Sequence, residues 1–221
     1  MVLKTVFSTP RCRNSQSGFS MVELMVVVSI MVIMTGIVVF SFRGNKRSYV
    51  ADDEATKVLS FFREAYQRAL SQRQAQRITI DRTNNLIRLA DMGLLPGGDE
   101  TIINRGILST TVTMTQPVIS GTPLSPPPAP YNYSVANLSS GSIDIYFLAD
   151  GSVTNATGFN NSSFAPASFT FFFSPSQETV TQSGQTSSNS GNLIRAVTLF
   201  GPTGSTRLWR FDRTKFIWEL N

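Results

Sequence analysis

The sequence predicts an α+β fold: a long amino-terminal helix, transmembrane in its first half and amphipathic in its second, packed on an antiparallel β-sheet. Three observations predict it. Nineteen residues without a charge run from Leu24 to Phe42. From Ser48 to about Gln76, apolar residues return every three or four positions. Beyond Arg77 the pattern changes to short β-prone runs separated by turn residues.

The first stretch opens with Gly18-Phe19-Ser20-Met21-Val22-Glu23, and only Ser29, Thr35, Gly36 and Ser41 interrupt the apolar run behind it. As a helix, Phe19 to Phe42 would extend about 36 Å, enough to cross a hydrocarbon core. A cleaved secretory signal would need a small-residue site after its apolar region, whereas Arg43-Gly44-Asn45-Lys46 follows here. Glu23 is the anomaly. An ionisable group just inside such a run is costly and calls for a partner.

Arg43 to Arg47 reads as the membrane exit, with Gly44-Asn45 softening the helix. In the amphipathic half, Ala51, Ala55, Val58, Phe62, Ala65 and Ala69 form the stripe that should lie on the sheet, and Leu59, Tyr66 and Leu70 widen it. Asp52-Asp53-Glu54 resembles a metal cluster only in one dimension, because consecutive helical positions point in different directions. A solvated turn is the expectation.

Ile78–Ile80 and Leu86–Leu89 flank Arg82-Thr83-Asn84-Asn85 as a hairpin, and Ile107 to Thr115 reads as a strand. Gln116 to Tyr131 holds six prolines, including Pro126-Pro127-Pro128, and should be an extended surface loop. Ser142–Phe147 is a strand running into an Asp150-Gly151 turn, and Asn155 to Ser168 is a polar loop. Phe169–Phe173 is strongly β-prone, and Gln182 to Asn192 has a linker composition. Leu193–Phe200, a Gly201-Pro202-Thr203-Gly204 turn, Arg207–Phe211 and Phe216–Leu220 complete the chain.

Composition narrows the chemistry. The 221 residues contain no histidine, which removes the commonest general base and every histidine-bearing metal site. Cys12 is the lone cysteine, so no internal disulfide forms. Of the net charge of +5, Lys4, Arg11 and Arg13 precede Gly18, and the remainder carries only +2. No paired-carboxylate spacing, phosphate-cradling glycine loop or nucleophile constellation stands out. The expectation is a protein that is not an enzyme, with no cofactor, no metal and no catalytic residue. Three basic residues lie on either side of the apolar run, so the charge rule does not decide orientation.

Gly18-Phe19, Glu23 as the fifth residue after the glycine, and the apolar helix behind it together resemble a type IV pilin-like protein. The resemblance implies a leader peptide, residues 1–18, that a prepilin peptidase cuts after Gly18 on the cytoplasmic side, methylating Phe19. It implies a transmembrane helix over 19–47, an amphipathic helix over 48–76 and an extracytoplasmic β-domain over 77–221. It also implies single-pass residence in the bacterial inner membrane, a body in the periplasm, and assembly with other pilins in a helical filament. Gln16-Ser17 departs from the family, which often has a basic residue there. Glu23 then acquires a partner: the free amine of Phe19 on a neighbouring subunit would form a charge-assisted pair when the helices dock with the correct stagger.

Three further segments resemble the GspH/FimT minor pseudopilin family: Phe62-Arg63-Glu64-Ala65-Tyr66-Gln67-Arg68-Ala69, Ile145–Ser152 with its Asp-Gly turn, and Gly201-Pro202-Thr203-Gly204 followed by basic residues. That resemblance implies a minor subunit of a type II secretion pseudopilus or a type IV pilus. Some FimT-like members bind DNA during uptake through arginines in the terminal hairpin, usually in a Gly-Arg-x-Arg pattern. Here Ser205-Thr206 follows Gly204, and the basic residues fall at Arg207, Arg210 and Arg213. On a strand, Arg207, Trp209 and Phe211 share one face, while Leu208 and Arg210 share the other. An arginine beside an exposed Trp209 would grip phosphate and stack on a base. The favoured alternative puts Trp209 and Phe211 in the core and the arginines on a solvated edge.

Overall fold

The computed structural model describes residues 19–92, 100–119, 121–160, 164–175, 193–212 and 214–221, with the side chains of 38–48 outside the description. Two compact units divide the chain, residues 1–44 and 45–221. A helix, α1 (Met21–Gln72), supplies the described part of the first unit and opens the second.

In the second unit two antiparallel sheets share one core with α1. The first sheet has the order β3-β2-β1-β8-β9, built from β1 (Gln76–Asp81), β2 (Leu86–Asp91), β3 (Thr101–Ile107), β8 (Ser142–Phe147) and β9 (Val153–Asn155). The second has the order β13-β12-β11-β10-β4, built from β4 (Val112–Thr113), β10 (Phe169–Pro175), β11 (Arg195–Phe200), β12 (Ser205–Asp212) and β13 (Ile217–Leu220). The two-residue β7 (Ser134–Val135) adds to β10 in parallel, and β5 (Val118–Ile119) pairs with β6 (Thr122–Pro123). A short α2 (Ala156–Asn160) follows β9.

The apolar stripe of α1 is buried as its spacing demands: Ala51, Ala55, Val58, Phe62, Ala65 and Ala69 have no exposed surface. Phe62 sits between the sheets, its ring 6.0 Å from Phe147 of β8 and 5.6 Å from Phe171 of β10. Leu70 lies at the margin and stays exposed. The phenylalanine run of β10 is apolar on both faces because both faces are covered. Phe169, Phe171 and Phe173 enter the core under α1, while Phe172 enters a second core on the outer side of the sheet.

The turns flank the same helix residue. Gly151 (φ +84°) and Gly204 (φ +62°) occupy left-handed conformations, and both lie against Tyr66. A Cβ on Gly204 would come within 2.6 Å of the Tyr66 ring and 2.8 Å of the Gly151 carbonyl oxygen. Backbone strain and overpacking therefore combine there, and Gly204→Ala lowers stability by about 2–3 kcal/mol in urea unfolding. Gly141→Ala, equally left-handed but with open space around its Cβ position, costs about 1 kcal/mol. Asp150 caps the first of the two turns: the Ser152 hydroxyl and backbone N–H both donate to it and hold its carboxyl below the ordinary value.

Four expectations need correction. The strand expected over Ile107–Thr115 is instead the end of β3, a turn and the two-residue β4. Side chains take the backbone groups a longer ladder would use: Glu54 accepts from the Ser109 N–H, and Arg82 donates to the carbonyls of Ser109 and Val112. The polar loop over Asn155–Ser168 contains α2, capped by Asn155 Oδ1 accepting from Gly158 N–H; Phe159 stacks on Tyr146 at 4.1 Å. Asp52-Asp53-Glu54 is not a uniformly solvated turn. Asp52 pairs with Arg195 of β11, and Glu54, only 1 % exposed, accepts from both Ser109 N–H and Lys57.

The fourth correction concerns the proline-rich segment. It runs over the surface as expected but carries the β5–β6 ladder, and Ile119, Leu124 and Tyr131 pack on the outer face of the second sheet against Phe172, Ile194, Ala196, Trp209, Phe211 and Trp218. Its carbonyls are also used, Trp218 Nε1–H donating to Ser125 O and the Gln116 side chain to Leu124 O. Prolines preset the extended backbone and so reduce the entropy lost in holding such a cover in place. Gln182 to Asn192 lies outside the described residues.

Candidate assembly site

Helix α1 begins two residues after Phe19. The Ser20 carbonyl accepts from Leu24 N–H at 3.1 Å, and the Ser20 hydroxyl lies 3.4 Å from Val22 N, so Ser20 caps the first turn. Glu23 falls within that turn, where a carboxylate is favoured by the helix dipole. Gly18 is outside the described residues; Phe19 is exposed.

From Met21 to Met34 every large apolar side chain is exposed, so this chain alone buries none of them. An apolar surface of this extent requires lipid or other helices as its surroundings. The hydroxyls within it are already satisfied: Ser29 Oγ donates to Met25 O at 2.8 Å, and Thr35 Oγ1 to Met31 O at 2.7 Å. The Gly36 surface is open, with nothing near its Cβ position. Between Phe19 and Ile37, Glu23 is therefore the one charged side chain, exposed and without a hydrogen bond or ion pair among the described residues.

Among the described residues no helix is long and apolar enough to cross a membrane. Within the apolar run the described side chains reach Ile37, while the run itself continues to Phe42. Residues 13–39 match a family described as a prokaryotic N-terminal methylation motif. The amino terminus is type IV pilin-like. No curated protein and no solved structure matches the chain. The match, confined to the amino-terminal segment, supports a structural protein of the type IV pilin-like kind.

The terminal hairpin is a different surface. Trp209 is buried in the second core, its ring 5.2 Å from Tyr131 and its Nε1–H donating to Thr198 Oγ1 at 2.9 Å. Phe211 is buried beside it. Neither ring is presented for stacking on a base. Arg207 is exposed, its guanidinium 4.5 Å from the Tyr131 ring centroid. Burial raises the Tyr133 hydroxyl pKa, helped by Tyr131 and partly opposed by Arg207. Arg210 is exposed on the opposite face, beside Glu219 of β13, and Arg213 lies outside the described residues. Strand alternation correctly groups Arg207 with Trp209; what sequence alone does not reveal is that the proline-rich segment covers that face.

Proposed function

We propose that this chain is a minor pilin or pseudopilin, a structural subunit of a type II secretion pseudopilus or a type IV pilus. The observation that carries the reading is the isolated carboxylate of Glu23 in the first turn of an exposed apolar helix whose hydroxyls are internally satisfied. Cleavage after Gly18 would create the amine that pairs with Glu23 of a neighbour. The pair forms only at one stagger, so it selects register as well as offsetting burial of the charge. Before assembly the helix over 19–47 anchors the chain in the inner membrane, with the β-domain in the periplasm. The convergence of Gly151 and Gly204 on Tyr66 supports the GspH/FimT assignment, since it brings together the three segments on which that resemblance rests.

A DNA-capturing role through Arg207, Trp209, Arg210 and Arg213 is the weaker reading. Trp209 is committed to the second core, and Arg207 and Arg210 lie on opposite faces of β12. Co-expression with a prepilin peptidase followed by intact-mass measurement tests the main reading. The expected product lacks Met1–Gly18 and carries one methyl group on Phe19. An uncut amino terminus in the presence of active peptidase refutes it.

A further inference from the structure

The two main sheets end in β3 and β9 and in β13 and β4, and among the described residues β3 and β13 have no strand on their outer side. Such strands present unpaired backbone groups and are a template for another strand. On β3, Arg105 is exposed and stands directly opposite Arg88 of β2. Like charges facing each other across an antiparallel pair are destabilising. Little among the described residues relieves them. Arg88 lies 3.8 Å from Asp81, whose two oxygens already accept from Asn84, and the out-of-solvent Nε of Arg88 has no hydrogen-bond partner among the described residues. None of the described ion pairs includes Arg105. Exposed Ile102 and Ile107, the latter 76 % exposed, flank Arg105 along the strand.

The other open strand has the complementary character. Ile217 and Leu220 of β13 are exposed, and Glu219 stands between them with its side chain partly exposed. Two intrachain cations compete for it, Lys215 at 2.9 Å and Arg210 directly opposite on β12, but both are surface residues, and exposed pairs of this kind contribute little and exchange readily.

We propose that the β3 edge of one copy receives the β13 edge of a second copy, with Glu219 seated against Arg105 and Arg88 and the isoleucines closing the seam. Backbone pairing supplies the contact, and the charges select it over β3-to-β3 or β13-to-β13 pairing. Donor and acceptor surfaces differ, so the contact is heterologous: the receiving copy keeps a free β13 edge and the donating copy a free β3 edge, and the interaction propagates unless its rotation closes a ring. It belongs to the body of the chain and does not depend on pairing through Glu23.

The test uses the unprocessed full chain in membranes without peptidase, with Cys12→Ser to remove the native thiol. Two differently tagged forms, Ile107→Cys and Ile217→Cys, are mixed and treated with a short bis-maleimide. The mixed product should exceed either like-with-like product, drop about fivefold with Arg105→Glu in the first form, and recover when Glu219→Arg is added to the second. Like-with-like products as abundant as the mixed one overturn the proposal. So does a mixed yield indifferent to Arg105→Glu, or one that the double reversal fails to restore.

Discussion

Glu23→Ala removes the chain from assembled filaments while leaving its membrane-bound pool in place. On insertion scales a carboxylate within an apolar segment costs about 3 kcal/mol at the membrane centre and less near its edge, so the partner amine has a substantial penalty to offset. In this helix no other side chain from Phe19 to Ile37 carries charge, and the two hydroxyls are closed on their own backbone. On the proposed assembly, alanine would make the isolated helix more comfortable in lipid and delete the one interaction that distinguishes a docked neighbour from lipid. The expected fall in the filament-to-membrane ratio is about tenfold or more, about a hundredfold being the ceiling set by the central penalty. Quantitative blotting of sheared filaments against the membrane fraction reads it directly. Glu23→Asp keeps the charge on a shorter arm and should give an intermediate ratio. Normal incorporation of Glu23→Ala would remove the basis of the register argument.

The largest stability effect lies at the other end of α1. Phe62→Ala should cost about 3–5 kcal/mol, in the range for deleting a fully buried aromatic ring. The ring contacts Phe147 in one sheet and Phe171 in the other, so its loss opens a cavity where three layers meet and neither sheet can close it alone. Against a usual domain stability of about 5–15 kcal/mol, that is a large fraction of the total. Urea unfolding of the full chain in detergent, followed through Trp209 and Trp218, measures it. Gln67→Ala, on the exposed side of the same helix, should change stability by no more than about 0.5 kcal/mol. Comparable losses for the two variants would mean that the helix is not the shared wall of both sheets.

The parts of this fold that were legible in the sequence are those where one periodicity faces one environment. The alanine and phenylalanine stripe of α1, the hairpin around Arg82–Asn85, strand Ser142–Phe147 and the phenylalanine run of β10 are all of that kind. What escaped depends on partners distant in the chain. Thr101–Ile107 contains Asn104 and Gly106, which weaken its strand signal; in the structure Asn104 donates to Glu64 and Gly106 lies against Phe61, both on α1. The segment after Ile107 looked like a strand because threonine and valine favour one, yet Glu54 and Arg82 claim its backbone. Buried Arg195, 3 % exposed, gave no sign that it reaches back to Asp52. At the amino terminus the reverse holds. Glu23 was legible because a single charge against a uniform apolar background needs no tertiary knowledge to stand out.

The covering of the second sheet by a proline-rich segment gives this small body two hydrophobic interiors with different obligations. The one beneath α1 must preserve the seating of the helix. The other, closed by residues with almost no regular secondary structure, answers to the outer face of the second sheet, from β10 to β13. Because the two interiors draw on opposite sides of the same strands, substitutions and length changes in the cover can accumulate without disturbing the helix. The body can thus diversify its outward surface over evolutionary time while the seat of the helix stays constant.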